Sequence, residues 1–424
     1  MADVPIERHT LDNGLRVVLS PDRSAPLVAV NLWYDVGSKH EKPGKTGFAH
    51  LFEHMMFQGS ANVEKGQHFA LVNAAGGTLN ATTWLDRTNY FETLPSHELE
   101  LALWLEADRL GGLLPAMTQE KLDNQRDVVK NERRYGVDNQ PYGTWDERLF
   151  ALVFPKTHPY HHPTIGSMED LSAATLDDVR EFFATYYAPN NAVLTIAGDF
   201  EPETALGMVR RHFGPLKPNA ELPAPPNMAI EPVIGRELRE TVPDRVELPR
   251  IYMGHRMPPF GTEAFDALDV AADTLGSGRA SRLYASLVRE QRLAQDATVF
   301  VFPIVGGASV FTLWVTARPG VELERLETAL LAELHRLAAD GPTDSDLERV
   351  RNLYAARMES SLERIGERAD RLGMYTCLFD DPQRINREVE RYRSVDAGRV
   401  VDALRASIHA ENRVTLTFVP EAAA

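Results

Sequence analysis

Two histidines and a glutamate lie close together in the segment GFAHLFEHMMFQGS, which spans residues 47–60. His50 and His54 are four residues apart, so on a helix both imidazoles lie on one face and can bind a single metal ion. Glu53 directly precedes His54 and lies adjacent to that face rather than opposite it. The apolar residues between them predict that the rest of the helix is buried. The segment therefore predicts a metal site on a rigid helix.

The order of these three residues narrows the kind of metal site. HxxEH is the inverted form of HExxH, and both patterns are metallopeptidase signatures. A simpler interpretation is that these are polar side chains on an amphipathic helix, which is the usual role of a lone histidine. Two histidines and a glutamate in this order favour the metal site instead, and catalytic zinc is commonly held by histidine and carboxylate ligands.

A third metal ligand has to come from elsewhere in the chain, because catalytic zinc usually has three protein ligands and one open position. Glu132, in the segment VVKNERRYG, is the best candidate. Leu122, Gln125, Val129 and Glu132 recur at helical spacing, which predicts an inward-facing row that ends at this glutamate. Taken alone, Glu132 is better interpreted as a solvated glutamate on a helix.

The surrounding segments predict a mixture of strands and helices. GLRVVLSPDRSAPLVAVNLWYDVGS contains two β-rich runs, and NAAGG marks a turn before two further strands. Residues 96–110 and 118–136 have the periodicity of long helices. Thr175 and Asp178 resemble a capping box at the start of another helix. Residues 215–232 contain six prolines, which predicts an extended connector.

The second half of the chain echoes the first. PSHELELAL begins at Pro95 and PGVELERLE at Pro319, while TQEKLDNQ begins at Thr118 and TDSDLERV at Thr343. Two helical blocks that recur in order at nearly one offset predict a duplicated α/β unit, although amphipathic helices also resemble one another by chance.

We therefore expect an α+β protein with two homologous α/β domains, each a largely antiparallel sheet packed against helices. The predicted boundaries are a zinc-binding catalytic domain at 1–214, a proline-rich linker at 215–236 and a homologous domain at 237–424. At the repeat offset, the two histidines fall in DTLGSGRASRLYASL, which has no histidine, and Glu132 falls on Arg357. Only the first domain is expected to bind metal.

Composition excludes several classes of partner. The chain has 424 residues and a formal net charge of −16, which argues against nucleic acid and anionic membranes. Its single cysteine, Cys377, excludes an internal disulfide framework and favours a reducing compartment. We see neither a signal peptide nor an apolar run of about 18 residues, so we expect a cytoplasmic protein.

The HLFEH helix, the segments GGTLNATTWLDRTNYFETLP and RDVVKNE, and the later SRLYASLVREQRLAQDA resemble the pitrilysin/insulinase family of zinc metallopeptidases. The likeness is to its short bacterial members, which are related to the mitochondrial processing peptidase beta subunit, and it extends over nearly the whole chain. It implies one Zn²⁺ per chain held by His50, His54 and Glu132, with Glu53 as general base.

The resemblance also implies how substrate binds. In the family, the region matching GGTLNATT is a sheet edge that pairs with an extended peptide, which here indicates Asn80, Ala81 and Thr82. The alternative is an ordinary interior strand, because the sequence does not reveal edge exposure. The family often has a second glutamate where this chain has Gln125, so we expect Gln125 to contact a ligand rather than the metal.

A departure from the family pattern concerns a partner chain. Active members use an arginine and a tyrosine, on and just after a strand matching residues 309–324, to bind substrate and stabilise the transition state. Here Val310 and Val321 lie near those positions, the window has no tyrosine, and Arg318 comes too late to match. We therefore expect the metal-bearing subunit of a heterodimer with a homologous subunit that lacks HxxEH; a homodimer is less favoured.

Three functions remain open from the sequence. The favoured one is a zinc endopeptidase that hydrolyses extended peptides or unfolded polypeptides. The second is a non-catalytic assembly subunit of the same fold, like the core proteins of respiratory complexes. The third is a metal-binding regulator of a partner peptidase.

Overall fold

A computed structural model describes residues 3–421. The chain forms two compact units, each assembled from three stretches. The first unit consists of the residues up to Arg133, Pro163–Pro226 and Met358–Arg387. The second consists of Arg134–His162, Asn227–Arg357 and the residues from Glu388 onward. The linear division at 1–214, 215–236 and 237–424 stays a prediction.

The strands are β1 (Glu7–Thr10), β2 (Arg16–Pro21), β3 (Leu27–Tyr34), β4 (Thr78–Thr83), β5 (Thr88–Pro95), β6 (Ala192–Gly198), β7 (Leu238–Asp244), β8 (Arg250–Met257), β9 (Ala294–Phe302), β10 (Ser309–Ala317) and β11 (Val414–Pro420). The α-helices are α1 (Phe48–Met55), α2 (Gln67–Ala74), α3 (Leu99–Ala116), α4 (Gln119–Arg133), α5 (Trp145–Val153), α6 (Met168–Ala173), α7 (Leu176–Tyr186), α8 (Pro202–Phe213), α9 (Glu263–Gly276), α10 (Leu323–Asp340), α11 (Asp344–Glu363), α12 (Ile365–Phe379), α13 (Glu388–Arg393) and α14 (Ala397–Ser407).

The sheet of the first unit has the strand order β1-β2-β6-β3-β5-β4. Strands β2 and β6 are parallel, and the other neighbouring pairs are antiparallel. The central strands β3 and β6 are buried almost throughout, because both faces of the sheet are covered there. Strand β4 lies at one end of the order and pairs with β5 alone within the described part of the chain.

Helices cover the two faces of this sheet differently. The main core lies on the face of Val28, Val30 and Leu32, where residues of α1, α3, α7 and α8 pack. On the other face, α12 packs against β3 and β6. Asp370 of α12 accepts hydrogen bonds there from Asn31 and from Trp33 Nε1, at 3.2 and 3.0 Å. Helix α12 thus belongs to the first unit, although it lies late in the sequence.

The sheet of the second unit has the strand order β7-β11-β8-β10-β9. Strands β7 and β11 are parallel, and the other neighbours are antiparallel. This is the connectivity of the first sheet without β1. Helices α9, α10 and α14 contribute to its main core, and α5 packs against β8 and β11.

The predicted fold class is confirmed: the protein is α+β, with two largely antiparallel sheets packed against helices. The two long predicted helices are observed as α3 and α4. The capping box is also present, with Thr175 Oγ1 accepting from the Asp178 amide at 3.2 Å and Asp178 accepting from the Thr175 amide at 3.0 Å. Among residues 3–421, no helix is long and apolar enough to cross a membrane.

Candidate metal centre

Helix α1 presents the three predicted residues on one side and its apolar residues on the other. Phe48, Leu51, Phe52 and Met55 are buried in the main core of the first unit, as is Ala49 between them. The side chains of His50 and His54 retain 13% and 21% exposure. The helix is therefore fixed by packing while its polar face remains reachable.

The start of α1 is held by two features that the sequence analysis did not identify. Gly47 has φ = +87°, and a Cβ there would lie 2.7 Å from the Ile165 carbonyl oxygen, so glycine is required. The Glu41 carboxylate accepts from the amides of Gly47 and Ala49, at 2.9 and 2.8 Å. It thereby replaces the side-chain cap that a glycine lacks.

Helix α4 brings the predicted third ligand to the histidines. The Glu132 Oε1 lies 3.7 Å from His50 Nε2, and its Oε2 lies 3.3 Å from His54 Nε2. One ligand atom from each of the three residues falls within 4.8 Å of the others. Glu132 is therefore not an isolated surface glutamate, because its carboxylate faces both imidazoles.

Gln125 lies two helical turns before Glu132 on α4, and its side chain is buried beside His54. Its side chain is close enough to His54 to raise the pKa of that imidazole. A partner of this kind fixes the orientation of an imidazole ring that binds a metal. The structure thus places Gln125 behind a histidine rather than among the three grouped donors.

The protonation of the three residues follows from their surroundings. Burial lowers the pKa of His50 to about 4, and the neighbouring His54 adds to this. Burial also acts to lower the pKa of His54, but its hydrogen bond with Glu132 and the charge of that residue outweigh it and raise the pKa. The hydrogen bond from His54 lowers the pKa of Glu132. At neutral pH, His50 is neutral and Glu132 is ionised, as metal ligation requires.

Glu53 is tied to the edge strand of the sheet. Thr83 Oγ1, at the end of β4, donates a hydrogen bond of 2.6 Å to Glu53 Oε2. Burial raises the pKa of Glu53, although this bond and the charge of His54 oppose the effect. The sequence analysis missed Thr83, and its only signal was its place at the end of the segment NATT.

Strand β4 contains the three residues predicted to bind substrate. Asn80 is exposed, Thr82 is half-buried and Ala81 is buried. Within residues 3–421, β4 pairs with β5 on one side and with no strand on the other. It is therefore an edge strand of this sheet and not an interior strand. Its outer edge lies beside the helix that carries the histidines, through the contact between Thr83 and Glu53.

In the second unit, an ion pair includes the position that corresponds to one of the ligands. By the repeat offset of 224 to 225, Glu132 corresponds to Arg357, while His50 corresponds to Thr274 or Leu275. Arg357 Nη1 lies 3.2 Å from Asp273 Oδ1, and the Tyr392 hydroxyl donates to Asp273 Oδ2 at 2.8 Å. An arginine and an aspartate neutralise each other and offer no pair of imidazoles to a metal.

A second group of ligand-type side chains is buried in the core of the first unit. His68, Glu92 and Glu106 each offer an atom within 4.8 Å of the others. Arg109 Nε donates to Glu106 at 3.0 Å, so a guanidinium already balances one of the two carboxylates. Burial raises the pKa of Glu92 to about 8 and lowers that of His68 to about 3. The sequence analysis did not identify this cluster, because its members lie on three separate elements.

Comparison with known proteins identifies the family of this chain. The model of the family described as Insulinase (Peptidase family M16) matches residues 16–158, and that described as Peptidase M16 inactive domain matches residues 173–354. The zinc protease PqqE of Helicobacter pylori is 33% identical over 369 residues, which cover 84% of this chain and 80% of that protein. The chain belongs to the insulinase family of peptidases, M16, and the resemblance inferred from the sequence is confirmed.

Further relatives fit the same family. An uncharacterized zinc protease of Bacillus subtilis, YmxG, is 24% identical over 406 residues, covering 93% of this chain and 94% of that protein. The crystal structure of a protease from Helicobacter pylori matches with a TM-score of 0.91 and 29% identity, covering 98% of this chain and all (100%) of that one. The structure of a peptidase M16 inactive domain from Pseudomonas fluorescens has a TM-score of 0.83 at 18% identity, which shows the shared fold alone.

Proposed function

We propose that this protein is a zinc-dependent endopeptidase that hydrolyses extended peptides or unfolded polypeptides. The observation that carries the proposal is the grouping of His50, His54 and Glu132, whose ligand atoms lie within 4.8 Å of one another, with Glu53 on the same helix. The names of the relatives as zinc proteases support it.

The three donors fit zinc by their chemistry. Two imidazole nitrogens and one carboxylate oxygen are the donor set of several catalytic zinc sites, and three protein ligands leave one position open. We propose one zinc ion per chain, held by His50, His54 and Glu132, with Gln125 orienting His54. When bound in such a site, zinc lowers the pKa of a water molecule to about 7 and polarises a carbonyl group.

Glu53 is the proposed general base. It accepts a proton from the attacking water and afterwards gives that proton to the leaving amine of the peptide. Its raised pKa suits both directions of transfer. A carboxyl group that titrates nearer to neutral pH can both accept a proton and give it up again. Thr83 holds the carboxylate in place during both transfers.

The substrate is proposed to bind as an added strand along β4. An edge strand offers unpaired amide and carbonyl groups that hydrogen-bond an extended chain whatever its sequence. Asn80, Ala81 and Thr82 are the residues along which it would lie. Most segments of a folded protein are already paired or covered, so unfolded or extended polypeptides are the favoured substrates.

A partner subunit is proposed to complete the site. Arg318 is the only arginine in residues 309–324. Its side chain is held by hydrogen bonds to backbone carbonyl groups of its own unit. Its Nε donates to the Ala294 carbonyl at 3.0 Å and its Nη2 to the Val288 carbonyl at 3.1 Å. We therefore infer that a homologous subunit without HxxEH supplies the arginine and tyrosine, in a heterodimer rather than a homodimer. The cytoplasmic location stays a prediction.

Zinc content and peptide hydrolysis, measured with and without the co-purified partner, test this function. We expect one zinc per chain, and hydrolysis of a reduced, alkylated polypeptide that a chelator abolishes and added zinc restores. Zinc binding without hydrolysis in the native complex would favour the non-catalytic assembly subunit or the regulator. A protein that binds no zinc would overturn the proposal.

A further inference from the structure

The direction of the backbone groups of β4 follows from its pairing with β5. In an antiparallel pair, facing residues alternate between those that exchange both hydrogen bonds and those whose amide and carbonyl groups point away from each other. The Trp84 amide donates to the Arg87 carbonyl at 2.8 Å, so these two residues form a bonded pair. Two residues further from the turn, Thr82 and Asn89 form the next bonded pair. Ala81, between two bonded pairs, therefore directs its amide and carbonyl away from β5.

The pairing of β5 with its other neighbour, β3, gives the same result. The Ser96 amide donates to the Pro26 carbonyl at 3.0 Å, just beyond the two strands and in line with their register. Every second pair from there is bonded, and this series includes Tyr90 with Leu32. Tyr90 thus directs its backbone groups toward β3, although it also faces Ala81 on β4. The Ala81 amide accordingly lies at the outer edge of the sheet, where an added strand would pair.

This outer amide already has an acceptor within the chain. Asn80 Oδ1 accepts a hydrogen bond from the Ala81 amide at 2.9 Å. The two side chains belong to opposite faces of the strand, so that of Asn80, which is exposed, reaches the amide by turning over the edge of the sheet. Asparagine side chains commonly take up nearby backbone groups in this way, in competition with the hydrogen bonds of a sheet.

A peptide added along β4 requires the same donor. Strand addition pairs the outward amides of the edge strand with carbonyl groups of the incoming chain. A backbone amide has one hydrogen, and Asn80 Oδ1 accepts it, so a substrate carbonyl has to replace this oxygen at Ala81. Until then the Asn80 side chain covers part of an edge that could otherwise pair with other chains.

We propose that Asn80 is a built-in competitor of the substrate. Its side-chain carbonyl occupies the Ala81 amide in the free protein and turns away when a peptide pairs with β4. The inference rests on the proposed function, and it assigns to a predicted substrate-binding residue a contact that opposes binding. Because the amide is available only in the molecules where Asn80 has turned away, peptide affinity is lowered by that fraction. One net hydrogen bond corresponds to a factor of about 3 to 10.

The test measures peptide binding by zinc-loaded Glu53→Gln protein in its native complex, so that binding is observed without hydrolysis. The probe is a fluorescein-labelled peptide that spans a mapped cleavage site of the reduced, alkylated polypeptide, and fluorescence anisotropy gives its affinity. On this background, Asn80→Ala should bind about 3- to 10-fold more tightly. Asn80→Asp, which keeps an acceptor oxygen, should bind no more tightly than the background. Without peptide, hydrogen exchange of the segment around Ala81 should be faster in Asn80→Ala.

Asn73→Ala is the matched control, because it alters an exposed asparagine of α2 outside β4, and it should bind like the background. Unchanged affinity in Asn80→Ala would overturn the competition. Weaker binding would overturn it too, because Asn80 would then hold the peptide instead. Either result leaves the proposed function standing if the wild type hydrolyses the polypeptide. A wild type that neither binds nor hydrolyses it would refute the proposed function and this inference together.

Discussion

The Thr83 hydroxyl donates a hydrogen bond of 2.6 Å to the Glu53 carboxylate, and this bond joins the edge strand β4 to the helix that carries both histidines. The proposed base and the proposed substrate strand are thus held in one arrangement. Thr83→Val keeps the shape of the side chain and removes the donor. We expect about a 10- to 100-fold lower kcat with zinc content unchanged, as for other supporting contacts at metal sites.

The measurement for Thr83 is steady-state hydrolysis together with zinc analysis of the same samples. Thr83→Ser retains a hydroxyl group and should recover most of the activity. An unchanged kcat in Thr83→Val would show that the hydrogen bond does not position the base.

The role of Glu132 as third ligand predicts a selective loss of zinc affinity. Glu132→Gln removes the negative charge and one of the carboxylate oxygens that face His50 and His54, so zinc affinity should fall by more than about 100-fold. Competition with a chelating dye measures this. Glu120→Gln, at an exposed position of the same helix, should bind zinc like the wild type. Equal affinity in the two variants would exclude Glu132 as a ligand.

The buried cluster at Glu92 predicts a pH-dependent stability. Burial raises the pKa of Glu92 from 4.5 to about 8, so the folded state holds a proton that the unfolded state releases. Its contribution to stability is complete below pH 4.5 and is lost as the pH rises through 8.

Glu92→Gln should remove that contribution to the change of unfolding free energy with pH. Relative to this variant, the wild type should lose about 1.4 kcal/mol of unfolding free energy per pH unit between pH 5 and 8, measured by chemical denaturation. The low pKa of His68, about 3, makes the unfolding free energy rise with pH, which opposes the effect of Glu92. Both proteins contain His68, so this effect cancels in the comparison. Parallel stability curves for the two proteins would contradict the assignment.

The sequence predicted the elements of the fold well because their periodicity is local. The two strands after NAAGG, the helices α3 and α4 and the capping box of α7 all follow from patterns within a few residues. The approach of Glu132 to the histidines was implied by the family resemblance, because the stripe from Leu122 predicts which face of α4 turns inward but not what that face meets. These are properties of single elements or of one helix pair.

The exchange of helices between halves could not be predicted in this way. Helix α5, from the first half of the sequence, packs on the second sheet, and α12, from the second half, packs on the first. An apolar helix face predicts burial but does not specify which sheet buries it. The same applies to the Glu41 cap and to Thr83, because each depends on contacts between separate elements.

The most direct test of the account is Glu53→Gln, measured beside the wild type for zinc content and for hydrolysis of an unfolded polypeptide in the native complex. Glutamine keeps the size of the side chain and can still accept the hydrogen bond from Thr83, but it cannot take up a proton from water. We predict one zinc per chain in both proteins and hydrolysis by the wild type alone. Hydrolysis at the wild-type rate by Glu53→Gln would contradict the account.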